Sequence, residues 1–114
     1  MLTTLAAPAF AGTWDIEKGD ITVKAGETGN DVTQNNETTY GDTGTIITGT
    51  SNQNTVTIDT SEGNVDVTFD GLNIDASSRN KAAVSVTGEG DTNIKLNGDN
   101  ALKSDIYRSG IYGS

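Results

Sequence analysis

Apolar and polar residues alternate along most of the chain after Asp20. The alternation is clearest in "VDVTFDGLNID" (65–75), and weaker versions of it recur on both sides. A period of two is typical of β-strands with one buried face. Clusters of Gly, Asn, Asp and Ser separate these stretches, and no stretch has a convincing helical period. The pattern therefore predicts an all-β protein built from short strands and tight turns.

One ten-residue phrase occurs twice along the chain, in two similar versions. "EGNVDVTFDG" begins at residue 62 and "EGDTNIKLNG" at residue 89, so the two are 27 residues apart. Asp70-Gly71 and Asn97-Gly98 are dipeptides typical of hairpins, which would give a small antiparallel sandwich. A repeat at a fixed interval instead favours a stack of similar coils. We therefore predict a single-stranded right-handed parallel β-helix with three strands per coil and about three coils, incomplete at the C-terminus.

In that fold, equivalent side chains of successive coils stack in columns. Val23, Phe69 and Leu96 are expected to form one core column, and Asp70-Gly71 is expected to be a corner between two strands. Trp14 is expected to close the N-terminal end of the core, because large aromatic side chains gain most from burial. The last coil carries no polar cap, which repeat proteins need at their ends. We expect a longer β-helix, or end-to-end self-association through that last coil.

The N-terminal segment indicates export. Small and apolar residues lead to Ala9-Phe10-Ala11, a pattern typical of signal-peptide cleavage sites. We interpret residues 1–11 as the remnant of a signal peptide, with an ordinary apolar strand as the alternative. Residues 12–114 are then the N-terminal coils of the β-helix, with a polar insertion at 25–44. A secreted or cell-surface location follows, and no later stretch approaches the roughly 20 apolar residues of a membrane span.

Composition excludes several kinds of chemistry. The formal net charge is −9, which disfavours nucleic acid because phosphates require Lys and Arg. The chain has no cysteine, so disulfides and thiolate metal sites are excluded. It also has no histidine, the commonest general base. Pairs of acidic residues are expected by chance among 16 Asp and Glu. We therefore predict that the protein is not an enzyme and has no catalytic residues.

Several phrases resemble a known family. They are "WDIEKGDITV" (14–23), "TFDGLNI" (68–74) and "NGDNALKS" (97–104). These phrases look like the opening of the secreted bacterial carbohydrate-binding β-helix proteins of the pectin-binding type, and the resemblance covers roughly residues 14 to 104. What the resemblance implies is binding of an acidic plant polysaccharide, such as polygalacturonate, together with calcium.

Candidate carbohydrate-binding residues lie on the outer side of the repeated strand. Asp66 and Thr68 alternate with the apolar residues of one phrase, and Asn93 and Lys95 occupy the matching positions of the other. Tyr40 is a fifth candidate, because it lies in the polar insertion and loops often carry function. The alternative is that these residues only form a solvated polar face.

Candidate metal ligands share the same polar positions. They are Asp20, Asp66, Asp70 and Asn97. Carboxylates, amides and turn carbonyls supply the six to eight hard oxygens that Ca²⁺ prefers. A calcium ion would also bridge an acidic polysaccharide to this acidic protein. The alternative explanation is that Asn and Asp are present because they favour turns.

Two classes of function follow from these observations. The first is an extracellular module that binds acidic polysaccharide with calcium. The second is a structural or adhesive cell-surface β-solenoid that does not bind glycans. Binding to a glycan that depends on calcium would distinguish the two.

Overall fold

The computed structural model describes residues 10–78, 80–104 and 111–113. Within these ranges the chain forms eleven strands and one short 3-10 helix at Ile16–Lys18. The strands, in chain order, are β1 (Thr13–Asp15), β2 (Ile21–Ala25), β3 (Asn30–Gln34), β4 (Glu37–Asp42), β5 (Ile46–Ser51), β6 (Val56–Asp59), β7 (Val65–Asp75), β8 (Val84–Thr87), β9 (Thr92–Asn97), β10 (Ala101–Lys103) and β11 (Ile111–Gly113). The predicted all-β class is confirmed.

The strands form two sheets. The first, which we call the parallel sheet, has the order β1-β5-β7-β10, and β9 also pairs with β7. The second, which we call the mixed sheet, has the order β11-β8-β6-β2-β3-β4. In the mixed sheet β2, β6, β8 and β11 are parallel, whereas β3 pairs antiparallel with both β2 and β4. Among the described strands, every pairing that does not involve β3 is therefore parallel.

The predicted right-handed parallel β-helix with three strands per coil is wrong, because the strands form two sheets, one parallel and one mixed. The expected corner at Asp70-Gly71 lies inside the continuous strand β7. Gly71 has a φ of 59°, and the pairing of β5 with β7 shifts there by one residue. One extra residue in the left-handed conformation makes a bulge, which bends a strand without ending it.

The expected core column of Val23, Phe69 and Leu96 is wrong, because Leu96 is 63% exposed and Val23 lies in the other sheet, although one of its pairings is correct. Phe69 and Leu96 are register partners in the parallel sheet, as the repeat predicts. Val23 instead pairs with Ile58 in the mixed sheet. Val23 alternates with polar neighbours as Phe69 does, but every half-buried strand shares this period of two. Alternation alone does not assign a strand to a sheet.

The stretch at 25–44, expected as a polar insertion, contains β3 and β4. Its polar residues Asn30 and Asp42 are buried. The amide nitrogen of Asn30 donates to the Thr45 hydroxyl at 3.0 Å and to the Asp66 carbonyl at 2.9 Å. This hairpin therefore adds two strands to the mixed sheet beyond β2. Its buried polar residues are hydrogen-bonded to the neighbouring segments that they cover.

The core lies between the two sheets. Inward-facing residues of both sheets belong to one buried hydrophobic cluster, in which Phe69, Ile47 and Ile58 are completely inaccessible. Trp14 packs against this cluster from β1, as expected for a residue that closes one end. Among the residues described, no helix has the length and apolar character that a membrane crossing requires. Residues 1–9, most of the interpreted signal-peptide remnant, lie outside the described ranges.

Candidate carbohydrate-binding face

The outer face of the parallel sheet carries the polar residues of the repeat. Along β7 the residues Val65, Val67 and Phe69 are buried, so that Asp66 and Thr68 point away from the core. Strand β9 lies beside β7 in parallel register, with Asp66 opposite Asn93 and Thr68 opposite Lys95. The structure therefore brings together four of the five predicted carbohydrate-binding residues.

These four residues line a shallow groove of about 580 Å³, which we call the first groove. Its walls also include Thr45 and Ile46, where β5 begins. The groove is thus formed by three neighbouring strands, β5, β7 and β9. Such strands lie about 4.8 Å apart, so the groove crosses roughly 10 Å of the sheet.

Polar atoms in the first groove remain available. The amide nitrogen of Asn93 donates to one carboxylate oxygen of Asp66 at 2.8 Å, which leaves the second oxygen of Asp66 without a protein donor among the described residues. The side chain of Lys95 is exposed on β9. Hydrogen-bonding groups that the fold does not use are free to bind a ligand.

A second groove of about 540 Å³ lies on the same outer face, beyond the bulge at Gly71. Strands β5, β7 and β10 form it together with the turn after β5 and Glu17 of the 3-10 helix. Its polar residues also include Thr50, Asn73, Asp75 and Lys103. Asn73 lies opposite Ala101, and Asp75 lies opposite Lys103. This groove was not predicted from the sequence, although Asn73 and Asp75 alternate with the buried Leu72 and Ile74 as Asp66 and Thr68 do with their own apolar neighbours.

Asp75 is ionised over a wider range of pH than an ordinary aspartate. Hydrogen bonds from the side chain and backbone of Ser77 lower the pKa of Asp75, and the charge of Lys103 acts in the same direction. Asp75 is exposed, so this carboxylate contributes mainly charge to the second groove. Because its folded-state pKa is depressed, the charge of Asp75 is lost at a lower pH than that of an ordinary aspartate.

Many other Asn and Asp side chains maintain the fold. The Asn54 amide donates to the Ile16 carbonyl at 2.9 Å, and the Asn100 amide oxygen accepts from the Leu72 backbone at 2.7 Å. Asp20 accepts from the Thr55 backbone at 2.8 Å. Their partners distinguish these structural residues from the free polar groups of the grooves. No sequence signal makes that distinction, because both groups occur in the same Asn- and Asp-rich phrases.

The four candidate metal ligands do not form one cluster. Asp70 and Asn97 are register partners on the outer face, but Asp66 lies four residues before Asp70 on the same strand, about 13 Å away. Asp20 precedes β2 in the mixed sheet. Within the described residues, no group of three or more acidic side chains is placed to hold a metal ion.

Tyr40 lies apart from both grooves. It belongs to β4, the edge strand of the mixed sheet, and its side chain is 74% exposed. The parallel sheet and the mixed sheet face each other across the core, so Tyr40 does not join Asp66 and Lys95 in one site.

Comparison of the chain with protein-family models, with characterised proteins and with solved structures found no match. The resemblance to carbohydrate-binding β-helix proteins therefore remains a hypothesis based on the sequence phrases.

Proposed function

We propose that the protein binds an acidic polysaccharide along the outer face of its parallel sheet, without changing it chemically. The observation that carries this proposal is the convergence of Asp66, Thr68, Asn93 and Lys95 in the first groove. The groove is shallow and open, which suits a segment of a long polymer. On this proposal the protein acts outside the cell, consistent with the signal-peptide pattern of residues 1–11.

Lys95 and the amide of Asn93 supply the attraction for a uronate unit. An ammonium group binds a sugar carboxylate by charge, and amides and hydroxyls pair with sugar hydroxyls. The protein is strongly acidic, with a net charge of −9, so the rest of its surface repels an anionic polymer. Association with such a polymer is therefore expected to depend on cations in solution.

Calcium is the cation that we propose. Asp66 and Asp70 present carboxylates on the outer face, and a polyuronate presents its own. Asp66 and Asp70 are too far apart to share one ion, so each carboxylate would hold calcium together with oxygens of the polymer and water, which can complete the six to eight oxygens that calcium prefers. Calcium would then bind at the interface between protein and polymer, with little affinity for the protein alone.

Calorimetric titration with polygalacturonate tests the proposal. We expect binding in millimolar calcium, loss of that binding with excess chelator, and no binding of a neutral polymer such as dextran. Replacement of Lys95 by Gln is expected to weaken binding about tenfold, the effect of removing one charge-assisted contact. No unsaturated product, followed by ultraviolet absorbance, is expected during the titration.

Two controls make the experiment decisive. Lys81→Gln removes the same charge from an exposed turn outside both grooves, and it should leave the affinity unchanged. Tyr40→Ala should also leave it unchanged, because Tyr40 lies on the opposite sheet. The proposal would be abandoned if the polymer did not bind in calcium, or if Lys95→Gln and Lys81→Gln had equal effects.

A further inference from the structure

The two grooves of the outer face contain matching chemistry. Each has one carboxylate on β7, although the second groove also has Glu17 of the 3-10 helix at its wall. In each β7 carboxylate only one of the two oxygens accepts a hydrogen bond from the described residues. In the first groove this residue is Asp66, which accepts from Asn93. In the second it is Asp75, which accepts from the backbone and hydroxyl of Ser77. The second oxygen of each carboxylate is left for a ligand.

The lysines and amides of the two grooves match in the same way. Lys95 lies on β9 and Lys103 on β10, and both are exposed on the strands that flank β7. Asn93 donates its amide hydrogen to Asp66, and Asn73 donates its own to the Gly71 carbonyl at 3.2 Å. In both cases the amide oxygen remains an acceptor without a donor among the described residues.

The distance between the two lysines follows from the geometry of β7. Lys95 lies opposite Thr68 and Lys103 lies opposite Asp75, seven residues later on the same strand. At about 3.3 Å per residue this corresponds to roughly 20 Å, shortened by the bulge at Gly71. Both lysines thus face the same side of the sheet and are spaced along the direction of one strand.

We propose that the second groove is a second binding subsite for the same acidic polysaccharide, so that one polymer chain lies along β7 and occupies both grooves. This inference rests on the proposed function of the first groove and extends it. The ligand is an anionic glycan long enough to cross the bulge at Gly71, with a carboxylate near each lysine.

Binding of one chain at two subsites predicts a dependence on ligand length. Once the first groove holds the polymer, the second meets it at a high effective concentration, so that affinity rises without any new kind of contact. A short oligomer reaches only one groove and gains nothing from the other. Affinity should therefore rise steeply over the oligomer lengths that begin to span both grooves.

The test compares oligogalacturonates of increasing length, from the disaccharide to the polymer, by calorimetry in calcium. The proteins are the native chain, Lys95→Gln, Lys103→Gln and the control Lys81→Gln. We expect the native chain and Lys81→Gln to show the steep rise. Each groove variant should lose at least about tenfold in affinity for the polymer and should show a flat dependence on length.

The variants are expected to fold, because Lys95 and Lys103 are exposed and Lys103→Gln removes only the favourable charge of Lys103 beside the exposed Asp75. Unchanged thermal unfolding by circular dichroism checks this. If the polymer binds and Lys95→Gln weakens it, but Lys103→Gln behaves as the native chain, the second subsite is refuted and the first groove stands. If the native chain does not bind the polymer, the proposed function fails, and the second subsite fails with it.

Discussion

At the scale of single residues, Asp42 connects three parts of the N-terminal end. The residue is completely buried. One carboxylate oxygen accepts from the backbone of Gly12 and of Gly44, each at 3.1 Å, and the other accepts from the indole of Trp14 at 2.8 Å. Buried charge is costly unless it is fully hydrogen-bonded, and here three donors converge on it. Asp42 therefore fixes β4 to the segment that leads into β1.

We predict that Asp42→Asn lowers the free energy of unfolding by about 2 kcal/mol. The amide keeps the shape of the carboxylate but replaces one acceptor by a donor, so that at least one buried N–H loses its partner. Urea unfolding followed by fluorescence provides the measurement, because Trp14 is the one tryptophan of the chain and contacts Asp42.

The matched control for Asp42 is Asp91→Asn, at an exposed turn position whose carboxylate has no donor among the described residues. Its effect is expected to stay within about 0.5 kcal/mol. Equal effects of the two substitutions would show that Asp42 contributes charge alone and not its hydrogen bonds.

At the scale of elements, two glycines show how the strands are joined. Gly88 follows β8 with a φ of 90°, and a Cβ there would lie 2.5 Å from the Ser61 nitrogen and 2.7 Å from the Thr60 carbonyl carbon. The turn after β8 thus rests directly against the backbone of the turn after β6. Gly71 has a φ of 59°, but a Cβ there would meet nothing within 4 Å.

We predict that Gly88→Ala destabilises the protein much more than Gly71→Ala. The Gly71 variant bears only the left-handed backbone cost of about 1 kcal/mol, whereas the Gly88 variant adds a backbone clash and should cost about 3 kcal/mol. Urea midpoints of both variants provide the measurement. Similar midpoints would mean that the two turns separate readily and that their contact contributes little.

Element positions could be predicted from the sequence, but their assignment to sheets could not. The alternation located β9 and both halves of β7, although it predicted a corner between those halves, and the 27-residue repeat predicted that Phe69 and Leu96 are neighbours. The same alternation misassigned Val23, because the period of two says which side of a strand is buried and not which strand lies beside it. The β3–β4 hairpin was missed because its buried residues Asn30 and Asp42 are polar.

At the scale of the whole molecule, the parallel sheet exposes apolar surface at β9. Leu96 lies beside the fully buried Phe69, yet its own side chain is 63% exposed. Within the described residues β9 pairs on one side only, with β7. Edge strands with exposed apolar residues are templates for pairing with another chain.

We predict that two copies associate through their β9 edges. Sedimentation velocity should show a concentration-dependent shift towards a dimer for the native chain. Leu96→Lys should remove the shift, because a lysine on an edge strand disfavours pairing and position 96 is exposed enough to accept it. Tyr40→Lys alters the exposed edge strand β4 and should leave the shift intact. The prediction would be wrong if both variants behaved alike.

Only part of the candidate site could be predicted from the sequence. The repeat identified Asp66, Thr68, Asn93 and Lys95 as one polar surface, since register partners on parallel strands share a face. It did not reveal that Asp20 and Tyr40 belong to the other sheet. The repeat also did not identify Asp75 and Lys103, because the residues that pair between β7 and β10 are not separated by the 27-residue interval of the repeat.

The sequence by itself determined the all-β class, the buried side of each repeated strand and the pairing of β7 with β9. These properties follow from local alternation and from a repeat interval, both of which are written in the chain. The tertiary structure alone decided the number of sheets, the burial of Asp42 and the placing of two grooves on one face. Those properties depend on which distant segments meet, and many pairings satisfy the same alternation equally well.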